Sequence, residues 1–264
     1  MEIAFEPAEG PPRRQPEIPR RRRTPSVRLL AEDPDLGEGV DAARWDSAVH
    51  DVRARTVIVH SGDWAQPDWA LSVRRGVGLL VLDGLMLRRV GLEGRSGAEL
   101  LAAGDVLRPW QREDAVASMP RRSGWRVLRR SKIAVLDVDF IRRTYPYPEV
   151  VGALVARTLR RSRSLAVNMA IVHQRKVETR LHMLLWHMAD RWGTVVGDSV
   201  TLPLKLTHPV LADLVAAQRP TVSAALGVLE RNGAVTRTRD GWRLHGSQPS
   251  ELSAVTAKAG PTNA

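Results

Sequence analysis

The chain of 264 residues contains no cysteine. Disulfides, cysteine-ligated zinc, cysteine-held iron–sulfur clusters and thiol redox sensing are thereby excluded. Aromatic residues are scarce: eight Trp, two Tyr and two Phe. Hydrophobic residues still make up 43% of the chain, so its cores must be built mainly from Leu, Val and Ala. No apolar run approaches the ~20 residues of a membrane span. The N-terminus lacks the basic, apolar, small-residue order of a signal peptide. We expect a soluble, cytoplasmic chain with no membrane partner. The seven His residues form no metal-ligand spacing; His182 and His187 share one predicted helix but lie on different faces of it. No nucleophile–base pattern and no Gly-rich phosphate loop occurs. We therefore expect no catalytic residues, no metal site and no enzyme.

Acidic residues are outnumbered: 29 Asp and Glu face 40 Lys and Arg, for a formal net charge of +11. Such a balance favours a polyanionic partner, without choosing between nucleic acid and an anionic surface. Part of the excess, Arg13, Arg14 and Arg20 to Arg23, precedes any expected fold. That Pro-, Arg- and Glu-rich stretch reads as a disordered basic tail, residues 1–28. Residues 247–264 read as a second disordered tail.

Asp41 is a candidate N-cap for AARWDSAVHDV, in which Trp45, Ala48 and Val49 share a face. From Val57 to Phe140 short apolar runs alternate with Gly-Asp, Asp-Gly and Ser-Gly signals, the pattern of a small β-sandwich or barrel. After Pro148 the pattern becomes helical. Val151, Leu154, Val155, Leu165, Met169 and Val172 form an apolar stripe too long for a small β-domain to cover. They are the candidate dimer interface, and a break is expected near Gln174 to Val177.

The most informative stretch is Leu206 to Gly246. Thr207 precedes a helix that His208 and Pro209 begin, with Leu211, Leu214 and Val215 inward. Ala216, Ala217 and Gln218 suit a tight helix–helix turn. In a second helix Val222, Ala225, Leu226 and Leu229 face inward, leaving Gln218, Arg219, Thr221, Ser223 and Ala224 outward. This surface is slim, with hydrogen-bonding groups at its leading end, as a helix entering the major groove requires. With Thr207, His208 and Pro220 these form the candidate DNA-binding set. Asn232-Gly233 ends the helix, and Asp240-Gly241 suggests a two-residue hairpin carrying Arg237, Arg239 and Arg243 as a wing.

The segment resembles the DNA-binding domain of the Crp–Fnr superfamily. Leu206, Thr207, Leu211, Ala212, Leu214, Val215, Arg219, Thr221, Val222, Ser223, Ala225, Leu226, Leu229, Glu230 and Gly233 carry the resemblance. GDVL at Gly104 resembles a β-roll turn of that family, and Leu184 to Gly193 the helix opening its C-terminal domain. The resemblance implies an α+β chain: a cyclic-nucleotide-binding-like β-roll at 29–145, a long dimerisation helix at 146–180 and a winged helix-turn-helix at 181–246. It implies a homodimeric transcription regulator that binds a double-stranded DNA operator beside RNA polymerase. Arg219 matches the position that contacts guanine in the family. Pro220 and Ala224 stand where the best-known branch has an acidic residue and an Arg, so a different operator is expected.

The nucleotide-binding branch carries a Gly-Glu-Leu turn and an Arg-Ser/Thr-Ala clamp for the cyclic phosphate. Gly-Glu-Leu is absent here. Arg122-Ser123-Gly124 resembles the clamp but lies far from Gly104. No cofactor is expected; a cyclic nucleotide is the disfavoured alternative, with Arg122 and Ser123 as its candidate contacts. Two other readings stand beside the regulator: a cupin-like small-molecule β-barrel with a helical assembly domain, and a nonspecific binder driven by the Arg-rich tail.

Overall fold

The computed structural model describes residues 25–65, 73, 75–92, 95–109 and 122–247. An N-terminal unit begins with strand β1 (Ser26–Arg28), helix α1 (Leu29–Glu32), a 3-10 turn at Pro34–Gly37 and helix α2 (Ala42–Asp51). Asp41 caps α2, its carboxylate accepting the Ala43 N–H at 2.8 Å. Ser26–Arg28, which the sequence assigns to the tail, instead pairs antiparallel with Arg53–Arg55.

Strands β2 (Arg53–Val59), β3 (Gly62–Asp63), β4 (Gly78–Leu92), β5 (Arg95–Ala102), β6 (Val106–Leu107) and β7 (Arg122–Leu136) complete an antiparallel sheet. Its order is β1-β2-β7-β4-β5, with β3 on β7 and β6 on β4. Asp83-Gly84 is not a turn. The register of β4 on β7 shifts between Val81 and Met86, so β4 runs on through a bulge. Gly84 has φ +115°, and a Cβ there would meet Ser131 Oγ at 2.0 Å. Only glycine fits both the backbone angle and the approach of β7.

The sheet buries side chains on both faces. Leu79, Val81, Met86, Leu101, Val127 and Ile133 fill the interior of the roll. On another side, α1, α2 and helix α3 (Val138–Thr144) supply Leu29, Leu30, Ala48 and Phe140, which pack against Leu80, Ala134 and Leu136. Each such large side chain contributes about 1.5–3 kcal/mol by leaving water.

Helix α4 (Pro148–Val172) and helix α5 (Val177–Trp192) follow, separated by the expected break. The C-terminal unit contains strands β8 (Thr194–Val196) and β9 (Ser199–Leu202), helices α6 (His208–Leu214) and α7 (Arg219–Arg231), and strands β10 (Val235–Arg237) and β11 (Trp242–His245). Its sheet order is β10-β11-β9-β8. Its core is continuous with the outer face of β4 and β5: Leu85, Leu87 and Ala102 pack in one cluster with Leu185, Leu211, Leu226 and Trp242. No helix among the described residues is long and apolar enough to cross a membrane.

Candidate DNA-binding site

Helix α6 ends in an unusual way. Ala216 has φ +50°, the only positive φ at a non-glycine among the described residues. Its N–H reaches Asp213 O at 3.4 Å, and the Ala217 N–H reaches Ala212 O at 3.0 Å. This is a Schellman ending with alanine where glycine is usual. Arg180 of α5 closes the turn, donating to the carbonyls of Val215 (3.2 Å) and Ala216 (3.4 Å) and, through Nε, to Gln174 (2.6 Å). A cation over the last carbonyls of a helix satisfies exposed acceptors and opposes the helix dipole. The sequence reading did not single out Arg180.

Helix α7 then packs by Val222, Ala225, Leu226 and Leu229, all buried. Gln218, Arg219, Pro220, Thr221, Ser223 and Ala224 are all exposed. Thr207 is exposed at the N-cap of α6, but its hydroxyl makes no capping bond. His208 instead links the two helices: its Nδ1 lies 2.7 Å from Ser223 Oγ. The Ser223 hydroxyl donates to the Arg219 carbonyl at 3.1 Å. With that proton committed, His208 Nδ1–H is the donor, and one lone pair of Ser223 stays free as an acceptor. Arg219 has no acidic partner among the described residues.

Gly233, φ +67°, ends α7 with a second Schellman pair: its N–H to Glu230 O and that of Ala234 to Leu229 O, both 3.0 Å. The hairpin that follows turns one residue earlier than expected. Arg237 pairs with Trp242 and the Thr238 N–H donates to Gly241 O at 2.9 Å, so the turn centres on Arg239-Asp240 rather than on Asp240-Gly241. A Cβ on Gly241 would meet Leu202 O at 2.1 Å, because β9 lies against the hairpin. Arg237, Arg239 and Arg243 are exposed. The Arg237 guanidinium rests 5.9 Å from the Trp242 ring centroid, which holds it on the wing.

Residues 179–254 match the Crp-like helix-turn-helix domain. The chain carries a Crp-like helix-turn-helix domain. Solved structures of similar fold include a CooA variant from Carboxydothermus hydrogenoformans, with TM-score 0.58, 16% identity, and coverage of 87% of this chain and 95% of that one. A cyclic nucleotide-binding domain containing protein from Listeria monocytogenes gives 0.56 at 17% identity, covering 72% and 88% of the two chains. FixK2 from Bradyrhizobium japonicum gives 0.53 at 17% identity, covering 76% and 96%. No curated protein matches the chain in sequence. At these identities the structures show the fold, and the matched helix-turn-helix domain supports a DNA-binding transcription regulator.

The structure separates the six candidate interface residues. Val151, Val155 and Met169 are exposed on α4, at 37%, 54% and 63%, and Leu159 joins them at 53%. Leu154 does not belong with them: it is 1% exposed, packed beside Val150 in the core of its own β-domain. Leu165 and Val172 are half-buried. Of the effector candidates, Ser123 is exposed on β7; the backbone of Arg122 pairs with Gly91, and its side chain lies outside the described ones. His182 accepts from Trp186 Nε1 at 3.0 Å, and His187 Nε2 meets Ser164 Oγ at 2.9 Å.

The GDVL turn has a structural task. Asp105, 5% exposed, accepts the Ala102 N–H at 2.8 Å. It also takes Arg191 Nη1 of α5 at 2.9 and 3.1 Å, while Arg191 Nη2 donates to Ala103 O at 2.8 Å. A second tie joins Arg89 of β4 to Asp213 of α6, at 2.7 Å from Nε. These long-range partners carried no local sequence signal.

Proposed function

We propose that this regulator binds a two-fold symmetric DNA operator as a homodimer, laying α7 in the major groove. The carrying observation is the outer face of α7: Arg219 leads it with no acidic partner among the described residues, and Thr221, Ser223 and Ala224 behind it are small enough for close approach to base edges. Arg237, Arg239 and Arg243 flank it where the phosphate backbone would run. The exposed Val151, Val155, Leu159 and Met169 of α4 form the seam between protomers, since a lone amphipathic helix face of this kind needs a partner. The regulator acts in the cytoplasm beside RNA polymerase. The described roll interior is filled by apolar side chains, and we propose no cyclic nucleotide there.

Selection of sites from a random duplex pool, with and without cyclic AMP, tests this reading. An enriched inverted repeat in both conditions supports it. An enriched motif lacking symmetry removes the homodimer. Enrichment only with cyclic AMP makes Arg122 and Ser123 a clamp. No motif in either condition means that another ligand is required for binding or that specific recognition is absent.

A further inference from the structure

A cleft of about 650 Å³ opens between α4 and α5, walled by the β5–β6 turn at Ala103-Gly104 and reaching Leu214 of α6. Its lining includes no residue of α7 and none of Val151, Val155, Leu159 and Met169, although Leu165 and the exposed Val167 of α4 border it. Three of its arginines are already neutralised: Arg157 by Asp33, Arg161 by Glu99 and Arg191 by Asp105. Arg160 and Arg163 also line the cleft and have no acidic partner among the described residues. Leu165, Leu184 and Met188 give it an apolar wall. Asn168 adds a specific demand: its Oδ1 is buried without a hydrogen-bond partner, a costly condition unless a donor arrives. Asp35 and Asp190 also line the cleft and can accept donors.

We propose that this cleft is the effector site, taking a small organic acid whose anionic head pairs with Arg160 and Arg163, whose apolar body lies on Leu184 and Met188, and which offers a hydroxyl or N–H to Asn168. Two unpaired guanidiniums suit a carboxylate or a phosphate head equally. The residues named for the ligand lie on α4 and α5, and the cleft that holds it also borders the β5–β6 turn and α6, so its occupancy bears on the placement of the winged domain; that consequence rests on the DNA-binding reading, whereas binding itself does not.

The test is calorimetry on the full chain with one skeleton in four forms: 4-hydroxyphenylacetate, 4-hydroxyphenyl phosphate, phenylacetate and the neutral alcohol tyrosol. Saturable binding of either hydroxylated anion is expected; the better of the two identifies the head group. Affinity should fall at least tenfold for tyrosol, and also in an Arg160→Ala/Arg163→Ala variant, whose exposed positions leave its unliganded melting temperature unchanged. Phenylacetate should bind more weakly than its hydroxylated counterpart, and an Asn168→Leu variant should erase that difference. Saturable binding of neither anion, tyrosol binding as tightly as they do, or an unaffected double variant would each overturn the proposal. Because no DNA is present, failure here leaves the DNA-binding reading standing, and failure of site selection leaves this result standing.

Discussion

At the scale of single residues, Ala216 gives the sharpest test of local conformation. A left-handed alanine costs about 1–2 kcal/mol, partly offset by the greater freedom of glycine in the unfolded chain. Ala216→Gly should therefore raise stability by about 0.5–1 kcal/mol, read as a shift in the urea midpoint; a decrease would mean that the turn does not hold φ +50°. Arg219 tests recognition. Arg219→Ala should weaken the selected site by about 1–3 kcal/mol and relax one base position, whereas Arg239→Ala should weaken all duplexes alike and reduce the salt slope. Equal loss on every sequence for Arg219→Ala would move that residue to the phosphates. His187 tests titration. Burial among its neighbours pushes its imidazole below the usual range, against the pull of Asp190 and Ser164. The unfolded chain then takes up a proton first as pH falls through about 6.5. Stability from the neutral ring is present above that pH and declines below it, down to the folded value. His187→Gln should flatten the decline in urea midpoint between neutral and mildly acidic pH.

At the scale of elements, α6, α7 and the wing were legible because each carries its signal within a few residues: helical spacing of Leu and Val, Pro in the first turn, Asn-Gly at the end. The break between α4 and α5 was legible for the same reason. Elements decided by distant partners were not. Asp83-Gly84 carries the composition of a turn, yet a bulge admits the same dipeptide when β7 runs alongside to hold it. Asp240-Gly241 follows a similar logic, since β9 rather than the hairpin itself demands the glycine. The β8–β9 hairpin was overlooked, although TVVGDSVTL alternates around Gly197-Asp198. Leu154 shows the limit of periodicity on α4, which buries one edge of its apolar stripe in its own domain and leaves the other bare. That division yields a prediction. Val155→Glu places charge on the bare side and should dissociate the proposed dimer in analytical ultracentrifugation while the melting temperature of the dissociated chain stays high. Leu154→Ala should instead cost about 2–5 kcal/mol of stability. If Val155→Glu leaves the mass unchanged, the seam lies elsewhere.

At the scale of the whole molecule, the winged domain is not a bead on a string. Its core merges with the outer face of β4 and β5, and two ion pairs cross the same junction. The two pairs differ in kind. Arg89 and Asp213 are 38% and 21% exposed, so water can take over from either partner, and Asp213→Ala should cost about 0–1 kcal/mol. Asp105 has a side chain only 6% exposed. Arg191→Ala would strand that carboxylate with a single backbone N–H and should cost about 2–4 kcal/mol, less than for a fully buried pair because Arg191 itself reaches solvent. The larger consequence concerns geometry. A homodimer reads two half-sites at the separation its recognition helices are held to. With Asp105 and Arg191 intact, site selection should return one half-site spacing. With Arg191→Ala the winged domain loses its anchor on the β5–β6 turn, and the selected sites should keep their half-site sequence but spread over several spacings. A single unchanged spacing in the variant would place the control of separation in α4 alone, and the junction would then serve stability only.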